Sequence, residues 1–352
     1  MTEIDCLDEA ELLFLPLGGT EEIGMNFNLY GFGPPGAHDW IIIDLGITFG
    51  DETTPGVDVI LPDPDFIVKR RDKLSGIILT HAHEDHMGAI PYLWDLLRCP
   101  VYATPFTAAL LRSKIEFTES IRNIEIVEIP LKGKFDIGPF SIEFLTLTHS
   151  MPEPNGCVVR SPLGTVFHTG DWKFDPDPVI GNLSDYDNLK SLGKEGVLAA
   201  VGDSTNVFVS GSSGSEASIL ENLSELIRDC DGQVAVACFA SNVARLKTIY
   251  DAASANGRSV CLVGRSLWRI NAAARQTGYL CDLPDFLEAE DARDIPKDQV
   301  LYICTGSQGE PRAALARIAN NDHREVKFGS GDTVIFSSRI IPGNELSISR
   351  LQ

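Results

Sequence analysis

No apolar run in this sequence approaches the roughly 18 uninterrupted residues that a membrane-crossing helix needs. Its first residues, Met1-Thr2-Glu3-Ile4-Asp5, lack the basic stretch and apolar core of a secretory leader. These two absences make a cytoplasmic location the expectation. Paired cysteine is missing too. The eight cysteines (Cys6, Cys99, Cys157, Cys230, Cys238, Cys261, Cys281 and Cys304) include no Cys-x-x-Cys pair. Thiols inside a cell stay reduced, so disulfides and a cysteine metal site are not expected. Cys238, Cys261 and Cys304 fall in or beside apolar runs, where a thiol packs as a small hydrophobe. Positive charge is scarce: 29 Lys and Arg face 50 Asp and Glu, a net charge of −21. That excludes the broad basic surface that attracts nucleic acid without specificity. A polyanionic ligand would need metal ions, backbone N–H groups or a few placed arginines. Long internal repeats and low-complexity tails are absent as well.

What is present is enough apolar residue for a core, 43% of 352 residues, in a chain longer than one domain usually is. Two domains are expected, at 1–205 and 206–352. The first half is β-rich, with strand-like runs at 11–17, 26–30, 40–45, 76–79, 101–103, 124–129, 140–147, 157–160 and 165–168. Helical patterns at 88–97 and 107–117 lie among them, which suggests stacked sheets flanked by helices. From about residue 217 the rhythm changes. Helices at 217–228, 242–255, 266–277 and 313–319 alternate with short apolar strands at 233–239, 259–263, 299–304 and 333–336. That alternation is the βαβ signature of a parallel sheet. Ser210-Gly211-Ser212-Ser213-Gly214-Ser215 is the clearest flexible stretch between the halves.

The strand at 76–79 runs into Thr80-His81-Ala82-His83-Glu84-Asp85-His86, and a helix comes next. Three histidines and two carboxylates within six positions have little structural use at the end of a buried strand. Imidazole suits zinc, and carboxylate ligands beside it favour a hydrolytic site over a closed structural one. His149 and Asp171 each follow a strand, and with the first cluster they complete a ligand pattern. His168, inside a strand, reads as a core or supporting histidine. His38 and His323 sit in polar loop sequence and are expected at the surface.

The H-x-H-x-D-H spacing with a later His and Asp resembles the metallo-β-lactamase superfamily, whose members hold two zinc ions. The resemblance implies one zinc on His81, His83 and His149, a second on Asp85 and His86, and Asp171 bridging both. It also implies catalysis by Asp85, His86 and Asp171, with a metal-bound hydroxide attacking in line and Asp85 handling its proton. Manganese is the alternative metal. That superfamily spans lactamases, glyoxalases, lipases and nucleases, so the motif names no substrate.

The second half narrows the choice. Its four strands lead into Ala240-Ser241-Asn242, Gly264-Arg265-Ser266, Thr305-Gly306-Ser307-Gln308-Gly309-Glu310-Pro311 and Ser337-Ser338-Arg339. Loops at the carboxyl ends of parallel strands form ligand crevices, and small hydroxyl- and amide-bearing residues there suit phosphate oxygens. Ala240, Ser241, Asn242, Ser337 and Ser338 are the candidate substrate contacts. Leu17-Gly18-Gly19-Thr20-Glu21-Glu22-Ile23-Gly24-Met25-Asn26, His81 to His86, Thr148-His149-Ser150, Thr169-Gly170-Asp171-Trp172-Lys173, Gly202-Asp203-Ser204-Thr205-Asn206, Phe239-Ala240-Ser241-Asn242, Thr305 to Pro311 and Ser337-Ser338-Arg339-Ile340-Ile341-Pro342-Gly343-Asn344-Glu345 resemble bacterial ribonuclease J, in the family's order across nearly the whole chain. The fold class implied is α/β: a metallo-β-lactamase αββα sandwich with an incomplete β-CASP domain, a parallel sheet with flanking helices. The activity implied is 5′-to-3′ exonucleolytic and endonucleolytic cleavage of RNA, with RNA as the partner and a homo-oligomer in the full-length family. Asp203 corresponds to the family's first acidic β-CASP motif, and Ala240-Ser241-Asn242 to a substrate-binding segment.

Two other readings stand beside this one: a truncated relative that binds RNA without cleaving it, and a small-molecule hydrolase of the same superfamily. The family's pattern continues with an H-x-S-G-H segment for the 5′-phosphate and a P-x-H-G-E segment whose histidine ligates the second metal. Neither occurs among the 352 residues, so six of the seven family ligands are present. The expectation for this chain alone is weak binding of the second zinc and little exonuclease turnover. Metal analysis and turnover on 5′-monophosphorylated RNA check it; two zinc equivalents with full turnover would contradict it.

Overall fold

A computed structural model describes residues 9–50, 53–116, 123–341 and 343–352. They divide into two units. The first comprises Met1–His149, Glu153–Phe174 and Asn182–Ser212, the second Ser150–Pro152, Asp175–Gly181 and Ser213–Gln352. No helix of the described residues is long and apolar enough to cross a membrane.

The first unit contains strands β1 (Glu11–Gly18), β2 (Phe27–Gly33), β3 (Asp39–Leu45), β4 (Thr48–Phe49), β5 (Val59–Ile60), β6 (Leu74–Ile78), β7 (Val101–Ala103), β8 (Ile126–Glu128), β9 (Lys134–Ile137), β10 (Phe140–Thr146), β11 (Asn155–Ser161), β12 (Gly164–His168) and β13 (Ala199–Val201). Its helices are α1 (Asp65–Val68), α2 (Glu84–Met87), α3 (Ile90–Leu97), α4 (Pro105–Ile115) and α5 (Tyr186–Glu195). One sheet runs β1-β2-β3-β6-β7-β8 and another β13-β12-β11-β10-β9. Alternate residues of a strand point to opposite faces, and that alternation builds the core between the sheets. Tyr30, Ile41, Ile43 and Ile78 from the first sheet pack with Phe140, Ile142, Phe144, Cys157, Val159 and Val166 from the second. The second sheet's other face carries Leu145, Leu147 and Val158, covered by Leu189 and Leu192 of α5. β3 is buried on both faces, so its Trp-Ile-Ile-Ile run does not alternate with polar residues.

The second unit is a parallel sheet of β14 (Val234–Ala237), β15 (Ser259–Val263), β16 (Val300–Cys304) and β17 (Thr333–Phe336) in the order β15-β16-β14-β17. Helices α6 (Ile219–Arg228), α7 (Val243–Ala255), α8 (Arg265–Gln276), α9 (Ala314–Ala319) and α10 (Glu345–Leu351) accompany it. Val263, Cys304, Ala237 and Phe336 are level across the four strands, so all four exit loops start from one straight edge. The Asn242 side chain accepts a hydrogen bond from the Arg245 N–H at 2.9 Å and caps α7.

Several elements differ from the sequence reading. β9 and β13 were not expected: β9 alternates only over Lys-Phe-Asp-Ile, and β13 is Ala-Ala-Val, too small to signal burial. α5 carries Gly193 and mostly polar residues, so its apolar stripe is thin. The helix expected at 88–97 starts at Ile90, because residues 84–87 form their own turn inside the histidine cluster. Cys6, Pro342 and Phe117, the last residue of an expected helix, lie outside the described residues. The remaining cysteines are free thiols, and Cys99, Cys157, Cys238, Cys261 and Cys304 are buried.

His38 is a correction. It is only 8% exposed, packs against Trp40 and sits 2.9 Å from Glu11 Oε1, so an acidic partner and an aromatic neighbour draw it inward from polar sequence. His323 is half-buried, its Nδ1 accepting from the Val326 N–H at 3.1 Å.

One glycine ties the first sheet to the histidine cluster. A Cβ at Gly46, just after β3, would lie 1.7 Å from the Asp85 carbonyl oxygen. Gly46→Ala is expected to destabilise the protein by about 3 kcal/mol or more, because the clash is with backbone that cannot yield. Gly193→Ala, in an exposed position of α5 with open space around it, is expected to gain up to about 1 kcal/mol. Urea denaturation of the two variants checks both signs.

Candidate metal centre

β6 delivers the buried residues Leu79, Thr80 and His81 to the end of the first sheet. Asp44, near the end of the neighbouring β3, has no solvent exposure. A buried carboxylate is costly unless it is surrounded by donors, and Asp44 has three. The Thr80 N–H and hydroxyl donate to its two oxygens at 2.8 Å each, and His86 Nδ1 donates to Oδ2 at 2.7 Å. Asp44 also adopts a left-handed backbone, φ +63°, a conformation that costs a non-glycine residue about 1–3 kcal/mol.

These bonds fix two tautomers. His86 spends its Nδ1 proton on Asp44, so Nε2 presents a lone pair when the ring is neutral. The Thr80 hydroxyl, having donated to Asp44, accepts from His81 Nδ1 at 3.0 Å, and His81 Nε2 is likewise freed. A hydrogen bond to one ring nitrogen in this way orients the other toward a metal. The turn of α2 is anchored from the far side. The Asp85 carbonyl accepts from the Asn26 backbone N–H at 2.9 Å and from Asn26 Nδ2 at 3.1 Å, with Gly46 pressed against it.

His149 follows β10 and Asp171 follows β12, and both reach this cluster. The six residues form two groups of ligand atoms, His81, His83, His149 and Asp171 in one and Asp85, His86 and Asp171 in the other. His83 Nδ1 lies 3.0 Å from His81 Nε2 and 3.2 Å from His149 Nε2. One imidazole proton cannot satisfy both contacts, whereas a central cation can. Nitrogens bound tetrahedrally to zinc at about 2.0–2.1 Å stand about 3.3 Å apart, close to these spacings. Asp171 points one oxygen at His86 Nε2, 3.2 Å away, and the other at His149 Nε2, 3.9 Å away, as a bridging carboxylate would. The donor set fits two metal ions.

The charges agree. Burial, together with the neighbouring histidines, holds His81 well below the ordinary imidazole pKa and lowers His83 to about 3. Burial also lowers His149. His86 goes the other way: burial opposes its charge, but Asp85, Asp171 and Asp44 outweigh it and raise its pKa well above the ordinary value. Burial pushes Asp171 up, yet His86 and the other histidines hold it well below the usual carboxylate range. The three-histidine group is thus neutral and ready to coordinate, and the carboxylates are ionised.

His168 stays out of both groups. It lies 3.1 Å from the buried Tyr30 hydroxyl, and burial lowers its pKa to about 4. Asp203 is outside them too; its backbone N–H donates to Thr169 Oγ1 at 3.2 Å and its Oδ1 accepts from the Thr205 N–H at 2.7 Å. In the second unit, Ser337 Oγ accepts from Arg245 Nη1 at 2.8 Å and Ser338 Oγ from Gln308 Nε2 at 3.2 Å. Arg245 is itself gripped by Glu216 through two oxygens, at 2.5 and 3.0 Å. Sequence reasoning passed over Asp44 and Asn26. Asp44 left a signal, an acid inside the apolar run Trp40-Ile41-Ile42-Ile43-Asp44-Leu45.

Comparison with known proteins agrees with this geometry. Residues 40–189 match a beta-lactamase superfamily domain, and residues 231–352 match the beta-CASP domain of ribonuclease J. Ribonuclease J of Sinorhizobium meliloti is 48% identical over 99% of this chain, and ribonuclease J 1 of Streptococcus pyogenes is 38% identical over all of it. Ribonuclease J of Thermus thermophilus is 36% identical over 98%. The chain spans 60–62% of the length of these relatives. A crystal structure of a protein of unknown function from Enterococcus faecalis shares the fold, with a TM-score of 0.56 at 15% identity, over 83% of this chain and 77% of its own. Over nearly its whole length the chain is thus similar to ribonuclease J, with a segment matching a beta-lactamase superfamily domain followed by one matching the ribonuclease J beta-CASP domain.

Proposed function

We propose that this chain is the metal-binding and RNA-binding part of a ribonuclease J-type enzyme that cleaves RNA phosphodiester bonds in the cytoplasm, as a 5′-to-3′ exonuclease and as an endonuclease. Its metallo-β-lactamase part would occupy 1–205 and its β-CASP part 206–352. The observation that carries the reading is the pair of ligand groups joined through Asp171. A shared carboxylate between two cation sites is the arrangement needed to neutralise a phosphodiester while water attacks it.

His81, His83 and His149 would hold one ion, Asp85 and His86 the other, with Asp171 between them; zinc suits the imidazole-rich set and manganese is the alternative. Bound there, the ions supply charge for the phosphoryl oxygens and a water acidic enough to ionise near neutral pH. The protein's own residues do the rest. Asp85 and Asp171 are equally exposed, at 31% each, and Asp85, beside His86, would orient the attacking water by accepting its hydrogen. Asp44 holds His86 in one tautomer and one orientation. In the second unit, the hydroxyls of Ser337 and Ser338 and the segment Ala240-Ser241-Asn242 offer donors for RNA phosphates at the level edge of the sheet. In a chain of net charge −21, such placed donors substitute for a basic surface.

Chelation is expected to abolish whatever RNA cleavage the chain shows, and Asp171→Ala to remove cleavage and lower metal stoichiometry while RNA binding persists. A chelator-insensitive RNA affinity without any metal-dependent cleavage would favour the binding-only relative. Cleavage of thioesters or lactams, with indifference to RNA, would favour the small-molecule hydrolase. Asp44→Asn is expected to weaken metal binding by about 10–100-fold, the usual effect of removing a carboxylate behind a ligating histidine. Calorimetric titration with zinc measures it.

A further inference from the structure

The loop after β16 contains a side chain whose hydrogen-bonding capacity is fully used inside the protein. Gln308 is 5% exposed. Its amide nitrogen donates to Ser338 Oγ at 3.2 Å and to the Arg339 carbonyl at 2.9 Å. Its amide oxygen accepts from the Ile341 N–H at 2.9 Å and from Asn344 Nδ2 at 3.2 Å. A primary amide has two donor hydrogens and two acceptor lone pairs, and all four are engaged here. The backbone donor of Ile341 fixes which end of the amide is oxygen, so the polarity at Ser338 is also fixed. Neighbouring Ser307 takes no part: its hydroxyl is 2% exposed and has no partner among the described residues. Gln308 ties the exit of β17 to the exit of β16 through these four bonds.

That polarity has a chemical consequence. A serine hydroxyl has one hydrogen to give. Ser338 Oγ accepts from the Gln308 amide, so its own hydrogen is left to point elsewhere. Ser337, one residue earlier, is in the same state, because its Oγ accepts from Arg245 Nη1. Two adjacent hydroxyls at the sheet edge are therefore held as donors by the Gln308 amide and the Arg245 guanidinium behind them, and a donor is what an anionic phosphate oxygen requires.

We propose that Gln308 is a positioning residue for RNA binding, acting through Ser338, whose hydroxyl it holds as a hydrogen-bond donor to a backbone phosphate. This rests on the reading of the strand-exit serines as phosphate contacts. The test is equilibrium binding of a short, fluorescently labelled single-stranded oligoribonucleotide to the chelated chain, for wild type, S338A, Q308M, Q308E and the S338A/Q308M double variant. S338A and Q308M are each expected to lose about tenfold in affinity, the worth of one charge-assisted hydrogen bond. Q308E is expected to lose at least as much, since a carboxylate forces Ser338 to donate inward. The double variant is expected to bind no worse than the weaker single variant, because the two changes remove the same contact. Losses that multiply in the double variant would overturn the proposal, as would wild-type affinity in Q308M. S338A leaves the other three bonds of Gln308 intact, so wild-type affinity in S338A alone overturns it even if the Gln308 variants fold poorly. Wild-type protein with no RNA affinity would instead overturn the RNA reading on which the proposal stands.

Discussion

A carboxylate with no access to water is the constraint around which the metal centre is built. Asp44 must collect donors or its charge would be prohibitive, and the donors it collects are Thr80 and His86. Satisfying one buried charge thereby orients two candidate ligand rings, one directly and one through a threonine hydroxyl. The left-handed backbone at Asp44 is part of the same arrangement, a local cost accepted so that the carboxylate meets the end of β6. The ligands do not organise themselves; the strand beside them does it.

The second unit uses the same logic with neutral groups. Arg245, neutralised by Glu216, and Gln308, with every amide site filled, stand behind the serines at the sheet edge. In both units a polar side chain held by its own partners determines which way its neighbour's hydrogen or lone pair points.

This explains what was legible in the sequence. The six candidate ligands stand out because histidine and carboxylate at close spacing after a strand have few other uses. The parallel sheet is visible because its strands are short continuous apolar runs separated by helical periods. Asp44 and Asn26 were passed over because their role depends on register: which residue of β3 lies beside Thr80 is decided by strand pairing 36 residues away in sequence. Gln308 was seen as one residue of a polar loop, since its four bonds run to residues 30–36 positions later. β13 escaped notice because three small residues carry too little hydrophobic contrast, and α5 because only its leucines face the sheet. His38 misled because flanking glycine and aspartate suggest a surface loop, while Trp40 and Glu11, which draw it in, are made neighbours only by the sheet.

The placement of the ligands also bears on how the chain reaches its native state. They come from the ends of β6, β10 and β12, so the cluster closes only after both sheets of the first unit have paired and stacked. An ion binding there recognises the assembled sandwich and not the unfolded chain, and so it stabilises the fold in proportion to its concentration over its dissociation constant. Sequence separations of this size make such closure slow compared with helix formation. An ion bound there would couple metal supply to folding, acting as a late fastener across three strand ends.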